Sequence, residues 1–527
     1  MSVGVICVNT GAAKGRAKQA FERVPTFALI MGRDKQLQRI LLGLKVRQLR
    51  QAHGWNFDEL NRQTGISPSY LNEIEKGKKY PQPELLHKLA KALGSSVEFL
   101  TSPELPAQYA PIARLLESNF LNELPLSFFG INLQQVVEIM ARAPGRVNAF
   151  ISAMLDIARH YSVHNEHFFF AALRAYQELH MNYFEDIEQV AAAFTCEHQL
   201  PLDGPVSAEH LAYLLTEHFD YALDDQTLGT YPLLRGVRAV FNPRQRRLYL
   251  NPLLNQRQRA FQMAKEIGFA ALRLEQRPLA TPWLRVRTFE EVLNNYRAAY
   301  FAVAILVPRE AFVRHLHVLF QQPTWREESL LDLMAHYQVS PEVLFQRFNV
   351  LSQAFDLHKI FFLRLIYDAE HHQIEIDKEL HLNRQHRPQA SGLGQTYCRR
   401  WLSTSLLQRL DTIARHTDDE GAWPMVAGAQ RMLFADSGEE YLCLAVAKTA
   451  YPTPNRRVCV MLGVELDDHA RSVIRFADDN SIESRIVGVT CEQCGWLDCP
   501  QRAAEAREFA RREQRRQMEK ILTLLTE

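Results

Sequence analysis

Between Gly43 and Leu100 the chain carries short amphipathic stretches separated by turns whose residue types leave little conformational choice. Leu44, Val46, Leu49 and Ala52 recur at helical spacing and stop near Gly54. Asn56 stands as N-cap of a second helix, with Glu59 three positions on as its capping-box partner and Phe57, Leu60 and Thr64 on the inward face. Gly65 can take the left-handed conformation that a tight turn requires, and Ile66 drops into the core. Ser67 followed by Pro68 opens a third helix, with Leu71 and Ile74 inward and Ser69, Tyr70, Asn72 and Glu73 outward. Pro83–Leu93 and Val97–Leu100 complete a five-helix bundle. This is a helix-turn-helix pattern, in which the outward N-terminal part of the third helix enters the major groove of DNA. Ser67, Ser69, Tyr70, Asn72 and Glu73 are then candidates for base edges, and Lys76, Lys78 and Lys79 for phosphates.

The run S-x-x-Y-L-x-x-I-E-x-G-K-x-x-P from Ser67 to Pro81 resembles the DNA-binding domain of the Cro/C1-type (XRE) repressors. Charge agrees. Residues 31–104 hold 12 Lys+Arg against 8 Asp+Glu, and residues 1–30 add four basic and one acidic residue, although the whole chain is only +1. The basic excess therefore sits at the end expected to meet phosphates.

A chain of 527 residues is too long for one core and suggests three or four domains. The longest apolar run, Ala298–Val307, is far short of the ~20 residues that span a bilayer, so no membrane helix is expected. No apolar block ending in a processing site follows Lys14, Arg16 and Lys18, so no secretion signal is read and a cytoplasmic location is expected. Eight cysteines, three of them crowded near the C-terminus, fit a reducing compartment and a metal or redox site better than a disulfide frame.

The expected fold is mainly α with α+β parts. Residues 1–34 read as a flexible extension, with Met31 as an alternative start, and 35–104 as the DNA-binding bundle. After a proline-broken linker, 112–195 is helical in pattern, including Val147–Tyr161 and a Tyr176–Phe184 run whose aromatics are more simply core than cofactor box. Residues 198–350 hold a β-hairpin (Val237–Phe241 and Arg247–Asn251), two buried helices (Gln258–Leu274 and Asn295–Leu306) and a further helical pair read as packing or dimerisation. Residues 356–500 turn to strands at Ile360–Ile366, Gln430–Ala435, Tyr441–Ala447 and Arg457–Val464, and 501–527 is a charged helix. Its arginines, Arg502 included, read as a solvated face or as a second DNA-facing tail.

The hairpin followed by two helices resembles the ImmA/IrrE-type metallopeptidase-like domain, whose first helix carries H-E-x-x-H. Here that run is Lys265-Glu266-Ile267-Gly268-Phe269, so both zinc-binding histidines are replaced and only the general-base position stays acidic. An ammonium neither coordinates zinc nor tolerates a nearby dication, and Asn294, Asn295, Tyr296 and Arg297 open the second helix where a carboxylate ligand is needed. The chain is therefore not expected to be a peptidase. A cleft without its metal can hold an effector, with Lys265, Glu266, Arg297, Tyr176 and His180 as candidates and Arg309 adding positive charge for an anionic ligand.

Cys491-Glu492-Gln493-Cys494-Gly495-Trp496-Leu497-Asp498-Cys499-Pro500 places three thiols on a short turn-forming loop, where Cys491, Cys494 and Cys499 can converge on an iron–sulfur cluster or on zinc, or remain redox-active thiols. The fourth position is open to Cys398, Cys443, Cys459 or an outside ligand.

From about residue 35 to 502, the order of these parts resembles the short-chain fatty acyl transcriptional regulator family. The resemblance implies a regulator of propionate, acetate or glyoxylate-cycle genes, an acyl-CoA or CoA-like effector and, in some members, an iron–sulfur cluster on the C-terminal cysteines. The resulting expectation is a double-stranded DNA operator bound by a homodimer or homotetramer, with recognition helices ~34 Å apart. The alternatives are a DNA-targeted metal-dependent peptidase working through Glu266, and a regulator that senses redox state alone.

Overall fold

Gly43 explains how the N-terminal bundle closes. A Cβ added there would lie 2.4 Å from the carbonyl oxygen of Ile74, so only glycine lets α1 (Thr26–Ala52) run against α3 (Pro68–Glu75) at this distance. The computed structural model describes residues 26–102, 165–282, 286–371, 373–382, 396–416, 424–450 and 456–526, divided into a unit at 1–169 and a unit at 170–527. The chain is mainly helical with two sheets, as the sequence predicts. The linker after Leu100 and the helical pattern of 112–164, Val147–Tyr161 included, lie outside the described residues. Helix α1 begins at Thr26, inside the stretch expected as an extension, because no proline interrupts Thr26–Ala52.

The first unit follows its local signals. Helix α2 (Phe57–Thr64) starts on a complete capping box between Asn56 and Glu59, and Gly65 ends it at φ 69°. Ser67 caps α3, whose first residue is Pro68. With α4 (Pro83–Ala92) and α5 (Val97–Thr101), these helices bury Leu42, Val46, Leu60, Leu71, Ile74 and Leu89 together. Two ionic ties fix the frame. Arg50 grips Glu75 through Nε at 2.6 Å and the Trp55 carbonyl at 2.7 Å, and buried Lys45 donates to the carbonyls of Phe99 and Ser102, both at 2.7 Å.

Helix α6 (Asn165–Leu179), whose residues from 170 onward belong to the second unit, α7 (Glu185–Glu197) and α8 (Ala208–Phe219) precede a small sheet. Its strands β1 (Ala222–Asp224), β2 (Ala239–Asn242), β3 (Arg247–Leu250) and β4 (Ala280–Thr281) are ordered β1-β3-β2-β4, and β2–β3 is the predicted hairpin. Helix α9 (Gln256–Ala271) crosses α10 (Phe289–Leu306) closely, since a Cβ on Gly268 would meet the Ala298 carbonyl at 2.7 Å. Helix α10 starts at Phe289, earlier than the predicted Asn295, because Thr288 caps it by accepting from the Glu291 amide.

Helices α11 (Arg309–Phe320), α12 (Glu327–Tyr337), α13 (Pro341–Arg347) and α14 (Leu351–Ala354) lead to the C-terminal sheet. That sheet holds β5 (Ile360–Asp368), β6 (Gln373–His381), β7 (Met425–Phe434), β8 (Glu440–Thr449), β9 (Arg456–Glu465) and β10 (Ser484–Val487), ordered β10-β7-β8-β9-β5-β6. Helix α15 (Leu402–His416) covers one face through Leu402, Leu406 and Leu410, with Trp401 fully buried beside it. Short α16 (Asp468–Val473) precedes β10, and α17 (Arg507–Thr526) ends the chain with no buried residue. Cys196 on α7 is disulfide-bonded, a departure from the expected reducing compartment, while the other described cysteines are free and form no disulfide frame. Among the described residues no helix is long and apolar enough to cross a membrane.

Candidate nucleic-acid interface and sensor sites

On α3 the predicted division of faces holds, with one adjustment. Leu71 and Ile74 are fully buried, Ser67 and Ser69 are exposed, and Asn72 and Glu73 are partly exposed. Tyr70 packs part of its ring against the bundle core, so its outer edge alone is presented. The Ser67 hydroxyl accepts from the Tyr70 amide at 3.4 Å, which makes it a cap. Past the helix, Gly77 has φ 68°, and the amides of Lys78 and Lys79 donate to the Glu73 carbonyl at 2.9 and 3.3 Å. The turn holds both exposed lysines beside the C-terminal end of α3, while Lys76 is partly buried.

The five residues expected around one effector cleft divide into two groups. Lys265 is buried, donates to the Thr281 hydroxyl at 3.2 Å, and has its amine pulled down to about 7 by burial, against the opposing pull of Glu266. Glu266 is held at 2.6 Å by Arg277, whose guanidinium lies 3.7 Å from the Phe269 ring centroid. A guanidinium, an ammonium and a phenyl ring thus surround the remaining acidic residue of the peptidase motif, and this chemistry repels a metal dication. At the start of α10, Glu291 accepts from the Arg287 amide, and buried Asn294, where a carboxylate ligand is needed, donates to the Gln276 carbonyl.

Tyr176, His180 and Arg297 belong elsewhere. Tyr176 is buried in an aromatic stack with His180 at 4.6 Å and Phe184 at 5.4 Å, and Phe184 in turn meets Tyr296 and Tyr300 edge-on. Arg297 pairs with Asp186 at 2.9 Å, and Arg309 with the Tyr183 hydroxyl and Glu185. Acidic residues at the start of α7 therefore neutralise the arginines that were expected to make the cleft cationic. Within the aromatic run, Tyr176 and Phe184 are core, as helical spacing suggests for Tyr176, whereas Tyr183 is half-buried and His180 exposed.

At the cysteine motif, Cys398, Cys491, Cys494 and Cys499 line one cavity together with Thr490 and Arg502. Cys443 and Cys459 instead point into the sheet core, where burial raises both thiols strongly. Arg502, expected on a charged helix, lies before α17 and organises the loop: it donates to the carbonyls of Cys491 at 2.6 Å, Cys494 at 3.0 Å and Trp496 at 2.6 Å. The Ala503 amide points at Cys491 Sγ at 3.4 Å. A Cβ on Gly488 would strike Cys494 Sγ at 2.8 Å, so glycine keeps that thiol's place open. Four thiols, an N–H directed at sulfur and a braced loop fit a thiolate-ligated centre. Among the described residues a second possible ligand group comprises Asp203, His315 and His336, but Arg314 already grips Asp203 at 3.2 Å.

Comparison with known proteins matches three separate regions. Residues 46–100 match the helix-turn-helix model, 233–349 the IrrE N-terminal-like domain, and 425–521 the C-terminal region of the short-chain fatty acyl coenzyme A regulators. An HTH-type transcriptional regulator of Sinorhizobium fredii, y4dJ, is 38% identical over 64 residues, covering 12% of this chain and 83% of that protein. The chain is a helix-turn-helix transcriptional regulator. Over its greater length this regulator is similar to the HTH-type transcriptional regulator RamB of Mycobacterium tuberculosis, at 22% identity across 89% of the chain and 95% of RamB. A solved Mycobacterium tuberculosis transcriptional regulator is 21% identical, covers 64% of this chain and 93% of its own, and superposes with a TM-score of 0.42.

Proposed function

We propose that this regulator binds a roughly palindromic operator as a homodimer or homotetramer, and that its second unit senses an acyl-CoA or CoA-like effector of short-chain fatty acid metabolism. The observation that carries DNA binding is the face of α3: Ser69, Asn72 and Glu73 project from a bundle locked by Arg50–Glu75, with Lys78 and Lys79 at its edge. The acyl-CoA effector is supported by the match at residues 425–521. Effector binding alters operator affinity to the extent that the effector prefers one arrangement of the recognition helices.

We assign the cysteine cavity to an iron–sulfur cluster held by Cys398, Cys491, Cys494 and Cys499. Such a cluster supplies one-electron redox chemistry, while the protein braces its ligand loop through Arg502.

The test is salt-dependent binding to duplex fragments from the gene's own locus. Lys78→Gln and Lys79→Gln each weaken binding to all sequences and lower the salt slope by about 1. Asn72→Ala relaxes discrimination by ~1–3 kcal/mol at one base pair. Glu266→Gln leaves operator binding and regulation intact, whereas loss of function there would revive the hydrolase. Absence of any salt-sensitive duplex binding, with or without coenzyme A thioesters, overturns the reading.

A further inference from the structure

Two imidazoles and a carboxylate that belong neither to the cysteine cavity nor to the peptidase motif meet in the second unit. Asp203 comes from the loop between α7 and α8, His315 from α11 and His336 from the last turn of α12. Their ligand atoms all lie within 4.8 Å of one another. His336 Nε2 stands 2.8 Å from Asp203 Oδ1, and His315 Nε2 stands 3.8 Å from the same oxygen. Ligand atoms ~2.0–2.2 Å from one tetrahedral ion are ~3.3–3.5 Å apart, so the two spacings bracket that value and each ring needs to move by only about half an ångström.

Groups that are not themselves ligands hold this arrangement. The buried Tyr337 hydroxyl lies 2.8 Å from His315 Nδ1. When it accepts from Nδ1–H, the lone pair of Nε2 faces Asp203. Tyr337 follows His336 directly, so one turn of α12 supplies one ring and orients the other, and the two rings stand at 77° with centroids 4.8 Å apart. Arg314 holds Asp203 through Oδ2 at 3.2 Å and leaves Oδ1 to the imidazoles. An imidazole anchored through its far nitrogen and a carboxylate anchored through its second oxygen are how proteins support metal ligands. The Arg314 side chain is 62% exposed, so water screens its charge, whereas Arg277 beside Glu266 is only 9% exposed.

The geometry points to a divalent transition-metal site, of the class that zinc occupies, formed by His315 Nε2, His336 Nε2 and Asp203 Oδ1, with its remaining position open to water. Two imidazoles and one carboxylate favour such ions over magnesium and calcium, which take oxygen ligands. The ion takes the place of the proton shared between His336 and Asp203, and it clips the α7–α8 loop to α11 and α12. This site is independent of the DNA-binding and effector readings.

Cobalt(II) chloride titrated into chelator-washed, full-length protein identifies the ligands. Cobalt bound by thiolate shows sulfur-to-metal charge transfer in the near ultraviolet, whereas cobalt bound by imidazole and carboxylate shows visible d–d bands alone, which tells this site from the cysteine cavity. One equivalent with d–d bands alone is expected, displaced by zinc chloride and not by magnesium chloride. His336→Gln and Asp203→Asn each weaken that uptake by about a hundredfold or more, and Tyr337→Phe, which keeps the ring, by about ten- to a hundredfold. His358→Gln, at an exposed histidine paired with Asp356 outside the cluster, leaves it unchanged. Metal-free His336→Gln is expected to melt with the wild type, so that lost uptake reads the ligand and not the fold. A wild type that takes up cobalt only with charge transfer, or takes up none, overturns the proposal, as does undiminished d–d absorption in His336→Gln or Tyr337→Phe.

Discussion

Lys265 occupies a zinc-ligand position of the peptidase motif with an amine pulled down to about 7 in the folded state, against about 10.5 when unfolded. Between those values the unfolded chain holds the extra proton, so this residue makes stability rise with pH from about 7 upward. Lys265→Met, which keeps the stem and removes the charge, is expected to flatten that slope and to stabilise the protein at pH 7 by on the order of 2–4 kcal/mol. Denaturant unfolding at a series of pH values checks it; equal slopes for the two proteins would refute the burial argument. The cysteines offer a second comparison. Cys398→Ser should abolish visible absorption in anaerobically purified protein, while Cys443→Ser, in the sheet core, should leave it. A colourless, iron-free wild type would count against a cluster.

At the scale of elements, two close approaches and one buried ion pair support the fold. Gly43→Ala drives a methyl into the Ile74 carbonyl, with backbone on both sides, and should destabilise the DNA-binding bundle by ~1–3 kcal/mol. The expected readout is weakened operator binding with unchanged melting of the second unit. Arg347 is fully buried and joins Glu188 at 2.5 Å and the Val307 carbonyl at 2.7 Å, tying α7, α10 and α13 together. Arg347→Met should cost about 3–5 kcal/mol by leaving Glu188 buried without its partner, and Glu188→Gln less. Chemical denaturation distinguishes the two. Elements bounded by local chemistry were legible: Asn56, Gly65, Ser67 and Pro68 mark the helices, and Asn242–Gln245 the hairpin. The missed strands β6 and β10 are both sheet edges, where charged residues such as Glu375, Asp377 and Lys378 suppress the apolar pattern that announces an inner strand. Arg502 was misread for a related reason. Its neighbours are charged helix formers, and only its tertiary contacts with the Cys491 and Cys494 carbonyls show its role. The cationic face expected from Arg297 and Arg309 is neutralised by Asp186 and Glu185, each more than a hundred positions from its arginine, and at Arg309 also by the adjacent Glu310.

Across the whole molecule, the helix-turn-helix bundle belongs to one compact unit, and the peptidase-like fold and the cysteine cavity to the other. Under the proposed reading, a coenzyme A thioester at 100 times its Kd adds ~2.7 kcal/mol to the stability of the unit that holds it. Thermal melting with coenzyme A thioesters is therefore expected to raise the transition of the second unit and leave that of the DNA-binding bundle unmoved. The register shift between Arg364 and Leu365 sits on the strand beside the open edge β6, whose Glu375, Asp377 and Lys378 offer a charged and irregular rim, so a strand from another copy finds no template there when molecules crowd together.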